Sequence, residues 1–146
     1  MKMITLALIL TLFSLTLKAP SERAIVIVKT EAIEPYETIW DAVVKVESNG
    51  DLFAIGDRHL KDKSYGIVQI RQVRLDDYFE RTEIRYSEKD MFDPVKSKEI
   101  FLYYADRIGP YDMERIIRNW NGKWELTDDY YAKVRKVLKR NILIRS

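Results

Sequence analysis

The spacing of apolar residues predicts a chain that is mainly helical from Tyr36 onward. Between Tyr36 and Glu47 apolar side chains recur at helical spacing, and an Asn-Gly pair follows that favours a left-handed helix end. Similar patterns predict helices over about 73–82, 93–108 and 112–120, and a last one from Thr127 onward. The positions expected to face the core in the last three are Phe101, Ala105 and Ile108, then Met113, Ile116, Ile117 and Trp120, then Tyr130 or Tyr131, Val134, Val137 and Leu138. The predicted fold class is therefore mainly α with long loops.

The first 35 residues follow a different pattern. Met1 and Lys2 give a short positive start, and the apolar run that follows is long enough for a signal-peptide core but shorter than the roughly 20 residues of a membrane span. We predict that residues 1–19 are a signal peptide or an uncleaved anchor that tethers the protein to a membrane, and that 20–35 are a linker or arm. Cleavage after Ala19, cleavage nearer Ala24 and retention all stay open. The protein is expected to be exported to the periplasm or the cell exterior.

Composition bounds what the remaining residues, 36–146, can be. They are enough for one compact domain, and the composition of the full sequence, 47% hydrophobic and 33% charged, is typical of a soluble globular protein. A formal net charge of +2 does not point to nucleic acid as a partner. Without cysteine there is no disulfide, so the core alone must hold the domain. The only histidine, His59, cannot build a metal site by itself, and we expect a monomer without metal or cofactor.

Glu47 is the candidate catalytic residue. It lies on the apolar face of its helix and in the last turn, where the helix dipole disfavours an anion. Apolar surroundings also raise the pKa of a carboxyl group, so both effects favour a proton held near neutral pH, as a general acid requires. The simpler alternative is a boundary residue that reaches solvent.

Two loops carry further unusual residues. Ser64-Tyr65-Gly66-Ile67-Val68-Gln69-Ile70 places one glutamine in an apolar run after a glycine, and Trp120-Asn121-Gly122-Lys123-Trp124 places an amide between two indoles. Each pattern alone is more often a helix end. Together with Glu47 they suit a carbohydrate, because carboxamides bind hydroxyl or acetamido groups, aromatic faces stack on sugars and an acid protonates a glycosidic oxygen.

These motifs resemble those of the soluble lytic transglycosylase and lysozyme-like superfamily in order and approximate spacing. The matching segments are Glu47-Ser48-Asn49-Gly50, the run 64–70, Trp120-Asn121-Gly122, and 127–134 with Tyr130 three residues after Thr127. The resemblance implies a lysozyme-like helical domain that cleaves peptidoglycan glycan strands between N-acetylmuramic acid and N-acetylglucosamine. In such enzymes the glutamate protonates the leaving oxygen, the acetamido group stabilises the cation, and the C6 hydroxyl closes an anhydro ring.

The resemblance also assigns roles to individual residues. Glu47 would be the catalytic acid, Gly66 and Gln69 the ends of a loop lining the cleft, and the hydroxyl of Tyr130 would point toward Glu47. The substrate-binding residues it implies are Ser64, Tyr65, Gln69, Trp120, Asn121 and Tyr130.

Hydrolysis in place of transglycosylation would need a second carboxylate. An inverting enzyme places it roughly 6.5–9.5 Å from the acid, and a retaining enzyme roughly 5–5.5 Å. In chicken-type lysozymes, whose Tyr-Gly run this chain resembles, an aspartate precedes the tyrosine, but here that residue is Ser64. Asp57 and Asp62 could substitute, with Asp51 a weaker candidate, although all three are more simply solvated turn residues. We therefore favour a single-acid mechanism.

Two departures from the family pattern support a rival function. The charged segment 57–63 would form a basic lip over the cleft, and Lys123 replaces a usually small residue. A non-catalytic peptidoglycan-binding protein with the same fold is the corresponding alternative. The basic residues of the last helix are its solvated side or a surface for an anionic wall; they are Lys133, Arg135, Lys136, Lys139, Arg140 and Arg145.

Overall fold

A computed structural model describes residues 36–122 and 126–145, and the side chains of these residues up to position 141. The predicted signal peptide and linker, as well as Lys123 and Trp124, lie outside these residues.

The described residues form five α-helices, one 3₁₀ helix and a small sheet. The helices are α1 (Glu37–Glu47), α2 (Gln72–Thr82), α3 (Pro94–Asp106), α4 (Met113–Asn121) and α5 (Asp128–Arg145), and the 3₁₀ helix is Glu88–Phe92. The strands are β1 (Ile55–Gly56), β2 (Ser64–Tyr65) and β3 (Ile70–Arg71). The prediction of a mainly helical class is confirmed. None of the described helices is both long enough and apolar enough to span a membrane.

The sheet is the main feature that the sequence pattern did not predict. Its order is β1-β2-β3 with both pairs antiparallel, and the register places Gly56 opposite Ser64 and Ser64 opposite Arg71. Each strand has two residues, so no alternation of apolar and polar positions can develop. The segment between the first two predicted helices, expected to be a long loop, therefore contains β1 and β2.

The helix ends follow the predicted signals. The Asp93 carboxylate accepts a hydrogen bond from the Val95 amide at 2.8 Å, which caps α3. Asn49 and Gly50 both have positive φ after α1, at 57° and 88°. The helix α3 ends at Asp106, two residues before the predicted Ile108, because a tighter turn forms there.

The core lies where α1 and α4 pack against α5 and α3 closes one side. Its centre is an aromatic row in which Phe101 contacts Trp40 and Trp120, with ring centroids 5.4 and 5.1 Å apart. The predicted core residues Phe101, Ala105, Ile116, Ile117, Trp120, Val134 and Leu138 are buried. Tyr130, Tyr131, Val137 and Ile108 are only partly buried. The prediction for Met113 is wrong, because as the first residue of α4 it is 50% exposed.

Candidate active site

Glu47 is the last residue of α1 and lines an open cleft of about 530 Å³. The predicted site residues that also line this cleft are Ser64, Gln69, Trp120, Asn121 and the candidate second carboxylate Asp57. The small sheet contributes one wall, and the end of α4 contributes the other.

The surroundings of Glu47 suit a proton donor. The Tyr130 hydroxyl donates a hydrogen bond of 2.7 Å to Oε1 of Glu47 from a position 83 residues away in the chain. The pKa of Glu47 is raised to about 7; burial is the largest cause, the hydrogen bond from Tyr130 opposes it, and the charge of Asp57 adds to it. Arg71 and Arg74 lower this pKa. A carboxyl group with a pKa near 7 is present in both protonation states at neutral pH, so it can give and take a proton.

Ser48 fixes the end of α1 to the loop that follows β2. Its hydroxyl donates to the Ile67 carbonyl at 2.7 Å and accepts from the Gly50 amide at 3.1 Å. The serine after the glutamate therefore positions Glu47 relative to the wall of the cleft.

The loop from Gly66 to Gln69 is held by its own polar groups. Gln69 donates from Nε2 to the carbonyls of Gly66 and Ala54, at 2.8 and 3.3 Å, and its Oε1 accepts from the Ser64 hydroxyl at 2.8 Å. A Cβ added at Gly66, where φ is 75°, would lie 1.8 Å from the Met91 carbonyl oxygen. Gly66, Gln69 and Ser64 thus build the wall, and the hydrogen bonds of the Gln69 amide are already made within the protein.

Gly56 is a site residue that the sequence did not indicate. A Cβ at this position would lie 2.1 Å from Oε1 of Gln69 and 2.5 Å from the Ser64 hydroxyl. The glycine leaves room for the Ser64–Gln69 hydrogen bond. A single glycine in a loop gave no signal for this role.

Trp120 is largely a core residue. It is 8% exposed, and its indole N–H donates to the Val68 carbonyl at 3.2 Å. The guanidinium of Arg74 lies over its ring at 4.5 Å and over the Tyr104 ring at 4.7 Å. One face of the Trp120 indole is therefore covered by a cation, which leaves less surface for a sugar than the sequence suggested.

Arg74 was missed by the sequence analysis although it lines the cleft. Its Nη2 donates to the carbonyls of Asn119 and Trp120 at 3.2 and 3.0 Å, which satisfies the end of α4. The available signal was its place in the first turn of α2, five residues after Gln69. Arg71, three residues earlier, was missed as well.

Asn121 offers the most accessible amide of the cleft. It is exposed at the end of α4, and among the described residues its side chain has no hydrogen-bond partner. Gly122 follows with φ at 141°, a conformation that favours glycine. Asn121 is therefore better placed than Gln69 to bind a ligand.

Tyr65 is not brought to the cleft. Its ring packs edge-on against Phe92, with centroids 6.2 Å apart, on the side of the 3₁₀ helix. Alternation along β2 explains this, because Ser64 and Tyr65 must point to opposite faces of the sheet.

The three candidate aspartates have different positions. Asp57 lines the cleft, and its Oδ2 accepts from Arg71 at 2.5 Å and from Ser64 at 3.3 Å. Asp57 begins a turn, as expected, since its carbonyl accepts from the Leu60 amide at 2.7 Å, but its side chain is partly buried and paired rather than solvated. Asp51 accepts from the Phe53 amide at 2.9 Å, as a turn-forming aspartate does. Asp62 is not among the residues that line the cleft.

The arrangement has one protonatable acid, two nearby cations and an ion-paired second carboxylate around an open groove. No group of three or more His, Cys, Asp or Glu side chains in the described part of the chain is arranged to hold a metal ion. Comparisons with protein-family models, with curated proteins and with solved structures found no match. The chemistry of the cleft is therefore inferred from its geometry.

Proposed function

We propose that the chain is an exported peptidoglycan lytic transglycosylase with a lysozyme-like helical domain and Glu47 as its single acid and base. The observation that carries the proposal is the setting of Glu47. Glu47 is the last residue of α1 and lines an open cleft. Its carboxyl group accepts a hydrogen bond of 2.7 Å from Tyr130, and its pKa is raised to about 7, chiefly by burial. The motif resemblance supplies the substrate class.

The proposed reaction uses Glu47 twice. Protonated Glu47 donates its proton to the glycosidic oxygen, and the bond from that oxygen to C1 of N-acetylmuramic acid breaks. The acetamido oxygen of the same sugar stabilises the positive charge at C1. The Glu47 carboxylate then takes the proton of the C6 hydroxyl as that oxygen bonds to C1. The products are an anhydro sugar and a free hydroxyl end, no water is consumed, and Glu47 is protonated again.

The surrounding groups support both protonation states that this cycle needs. Burial favours the protonated acid, whereas the Tyr130 hydroxyl and the charges of Arg71 and Arg74 favour the carboxylate formed after the first step. Asn121 is available at the other wall to bind a hydroxyl or acetamido group.

A muramidase-type hydrolase is the second candidate, because Asp57 lines the same cleft as Glu47. Such an enzyme would use Asp57 as base or nucleophile toward C1. The ion pair with Arg71 at 2.5 Å and the hydrogen bond from Ser64 both engage Oδ2. The guanidinium charge of Arg71 offsets the negative charge that a base or nucleophile would direct at C1, which favours the single-acid mechanism.

The proposal is tested by incubating the full-length protein with purified sacculi and identifying released muropeptides by mass spectrometry. Wild type is compared with Glu47→Gln and with Glu80→Gln, a matched change on the exposed side of α2. We expect anhydro ends from wild type and Glu80→Gln and none from Glu47→Gln. Products that carry an added water would favour the hydrolase with Asp57. Binding to sacculi without any release would favour the non-catalytic alternative.

A further inference from the structure

A second cavity adjoins the cleft of Glu47. It has a volume of about 570 Å³ and lies where α2 and α4 face the end of α3. Val73 and Arg74 line both the cleft and this cavity, so the two are neighbours. The charged side chains that line it are Arg74, Arg81, Arg107, Arg115 and Asp77.

The cavity carries a strong excess of positive charge. Four guanidinium groups face one carboxylate, a formal excess of three among the described residues that line it. That carboxylate is fully engaged, since Asp77 accepts from Nε of Arg81 with both oxygens at 2.9 Å and from the Tyr104 hydroxyl at 2.6 Å. Arg74 is likewise engaged by backbone carbonyls and two aromatic rings.

Arg107 and Arg115 are the two cations of the cavity whose guanidinium groups form no hydrogen bond within the described part of the chain, although Arg107 lies over the Tyr103 ring at 5.6 Å. Both are exposed, and within the described part of the chain neither forms an ion pair. Arg107 follows α3, where a cation is favoured by the helix dipole. Arg115 lies in the first turn of α4, where the dipole disfavours a cation. The helix dipole therefore favours Arg107 at its position but not Arg115.

We propose that this cavity, the arginine pocket, binds carboxylate groups of the ligand that occupies the cleft. If the ligand is peptidoglycan, as the proposed function holds, these carboxylates belong to the peptide stems carried by N-acetylmuramic acid. This identification of the ligand rests on the proposed function. Guanidinium groups pair with carboxylates through two parallel hydrogen bonds, so Arg107 and Arg115 suit this chemistry. Because Val73 and Arg74 line both cavities, a ligand held in the cleft lies next to the arginine pocket.

The test compares soluble glycan strands that carry stem peptides with the same strands after the stems are removed. The variant Arg107→Gln/Arg115→Gln is measured beside Arg85→Gln/Lys89→Gln, which removes the same number of positive charges from exposed side chains that line neither the cleft nor the pocket. We expect the ratio of kcat/KM for stem-bearing over stem-free strands to fall about tenfold in the first variant, because exposed ion pairs are worth a few-fold each. The ratio should be unchanged in the control.

An unchanged ratio, or an equal fall in both variants, would overturn the proposal. Circular dichroism checks that each variant is folded, and the single replacements at Arg107 and Arg115 carry the same test if the double variant is not. If wild type cleaves neither kind of strand, the proposed function fails. Whether the arginine pocket binds carboxylates is then tested by a binding measurement alone. An NMR titration with a free stem tripeptide and its fully amidated counterpart then gives the result. Wild type should prefer the free acid and the Arg107→Gln/Arg115→Gln variant should not, whereas equal binding by wild type refutes the pocket.

Discussion

Glu47 and Asp57 are two carboxyl groups in one cleft with opposite surroundings. Glu47 ends a helix, is partly buried and is contacted by a neutral phenol, and burial raises its pKa to about 7. Asp57 lies in the turn after β1 and contacts the guanidinium of Arg71 at 2.5 Å. The contrast teaches that two carboxyl groups lining one cleft can differ in what they contact. The candidate acid accepts from an uncharged hydroxyl, whereas the other carboxyl group is one half of an ion pair.

The largest effect expected from this contrast is on the rate of cleavage. We predict that Glu47→Gln lowers the rate of muropeptide release at least about a thousandfold, the scale of a lost general acid and base. Asp57→Asn should change it less than about threefold, because the single-acid mechanism assigns Asp57 no chemical step. Rates are measured on sacculi at pH 6, with Asp62→Asn as the control outside the cleft. A loss from Asp57→Asn as large as that from Glu47→Gln would contradict the comparison and point to a two-carboxylate hydrolase.

The loop from Gly66 to Gln69 packs tightly beside Glu47. Replacing two glycines with alanine tests how much this packing contributes to stability. Gly50 and Gly66 both have positive φ, at 88° and 75°, but only at Gly66 does an added Cβ meet a backbone atom, the Met91 oxygen. We predict that Gly50→Ala lowers the free energy of unfolding by about 1 kcal/mol, from backbone strain alone. Gly66→Ala should lower it by at least about 3 kcal/mol because the loop must also shift. Urea denaturation measures both, and equal losses would show that the contact at Met91 is not limiting.

The helices around this site could be predicted because each repeats an apolar face several times. The end of α1 at Glu47 was marked by the Asn-Gly pair, and the start of α3 by Asp93 and Pro94. The sheet could not be predicted in this way, since strands of two residues hold no repeat. The sheet nevertheless decides which side chains reach the cleft. Ser64 lines the cleft, and Tyr65, the next residue of β2, faces away from it toward Phe92.

Contacts between distant residues could not be read from periodicity either. Only the motif resemblance suggested that Tyr130 would meet Glu47, 83 residues earlier in the chain. For Trp120 the sequence suggested a stacking platform for sugars, but the guanidinium of Arg74 lies over the ring at 4.5 Å. Whether an aromatic face is free depends on tertiary packing, which local spacing does not report.

Removing the hydrogen bond from Tyr130 to Glu47 should have a smaller effect, and the neighbouring Tyr131 provides a matched control. Tyr130→Phe removes the donor to Glu47, whereas Tyr131→Phe changes a neighbour whose ring packs under Arg118 at 4.7 Å. We predict about a tenfold loss of activity from Tyr130→Phe, in line with one hydrogen bond to a charged group. The pKa of Glu47 should rise further, since this bond lowers it. A pH–rate profile measures both effects, and the prediction fails if Tyr131→Phe reproduces them.

The smallest expected effect is a displacement of the pH–rate profile by the charges around Asp57. Activity requires protonated Glu47, so it should be lost as pH rises through the pKa of about 7. The negative charge of Asp57 raises this pKa, so Asp57→Asn should move the alkaline limb to lower pH. Arg71 lowers it and also pairs with Asp57, so Arg71→Gln should move the limb to higher pH. Each displacement should be less than about one pH unit, because both side chains are partly exposed and solvent screens their charges. If the two variants move the limb in opposite directions, Asp57 and Arg71 act on Glu47 through their charges. If both variants move it in the same direction, they act by changing the structure of the cleft, and the prediction fails.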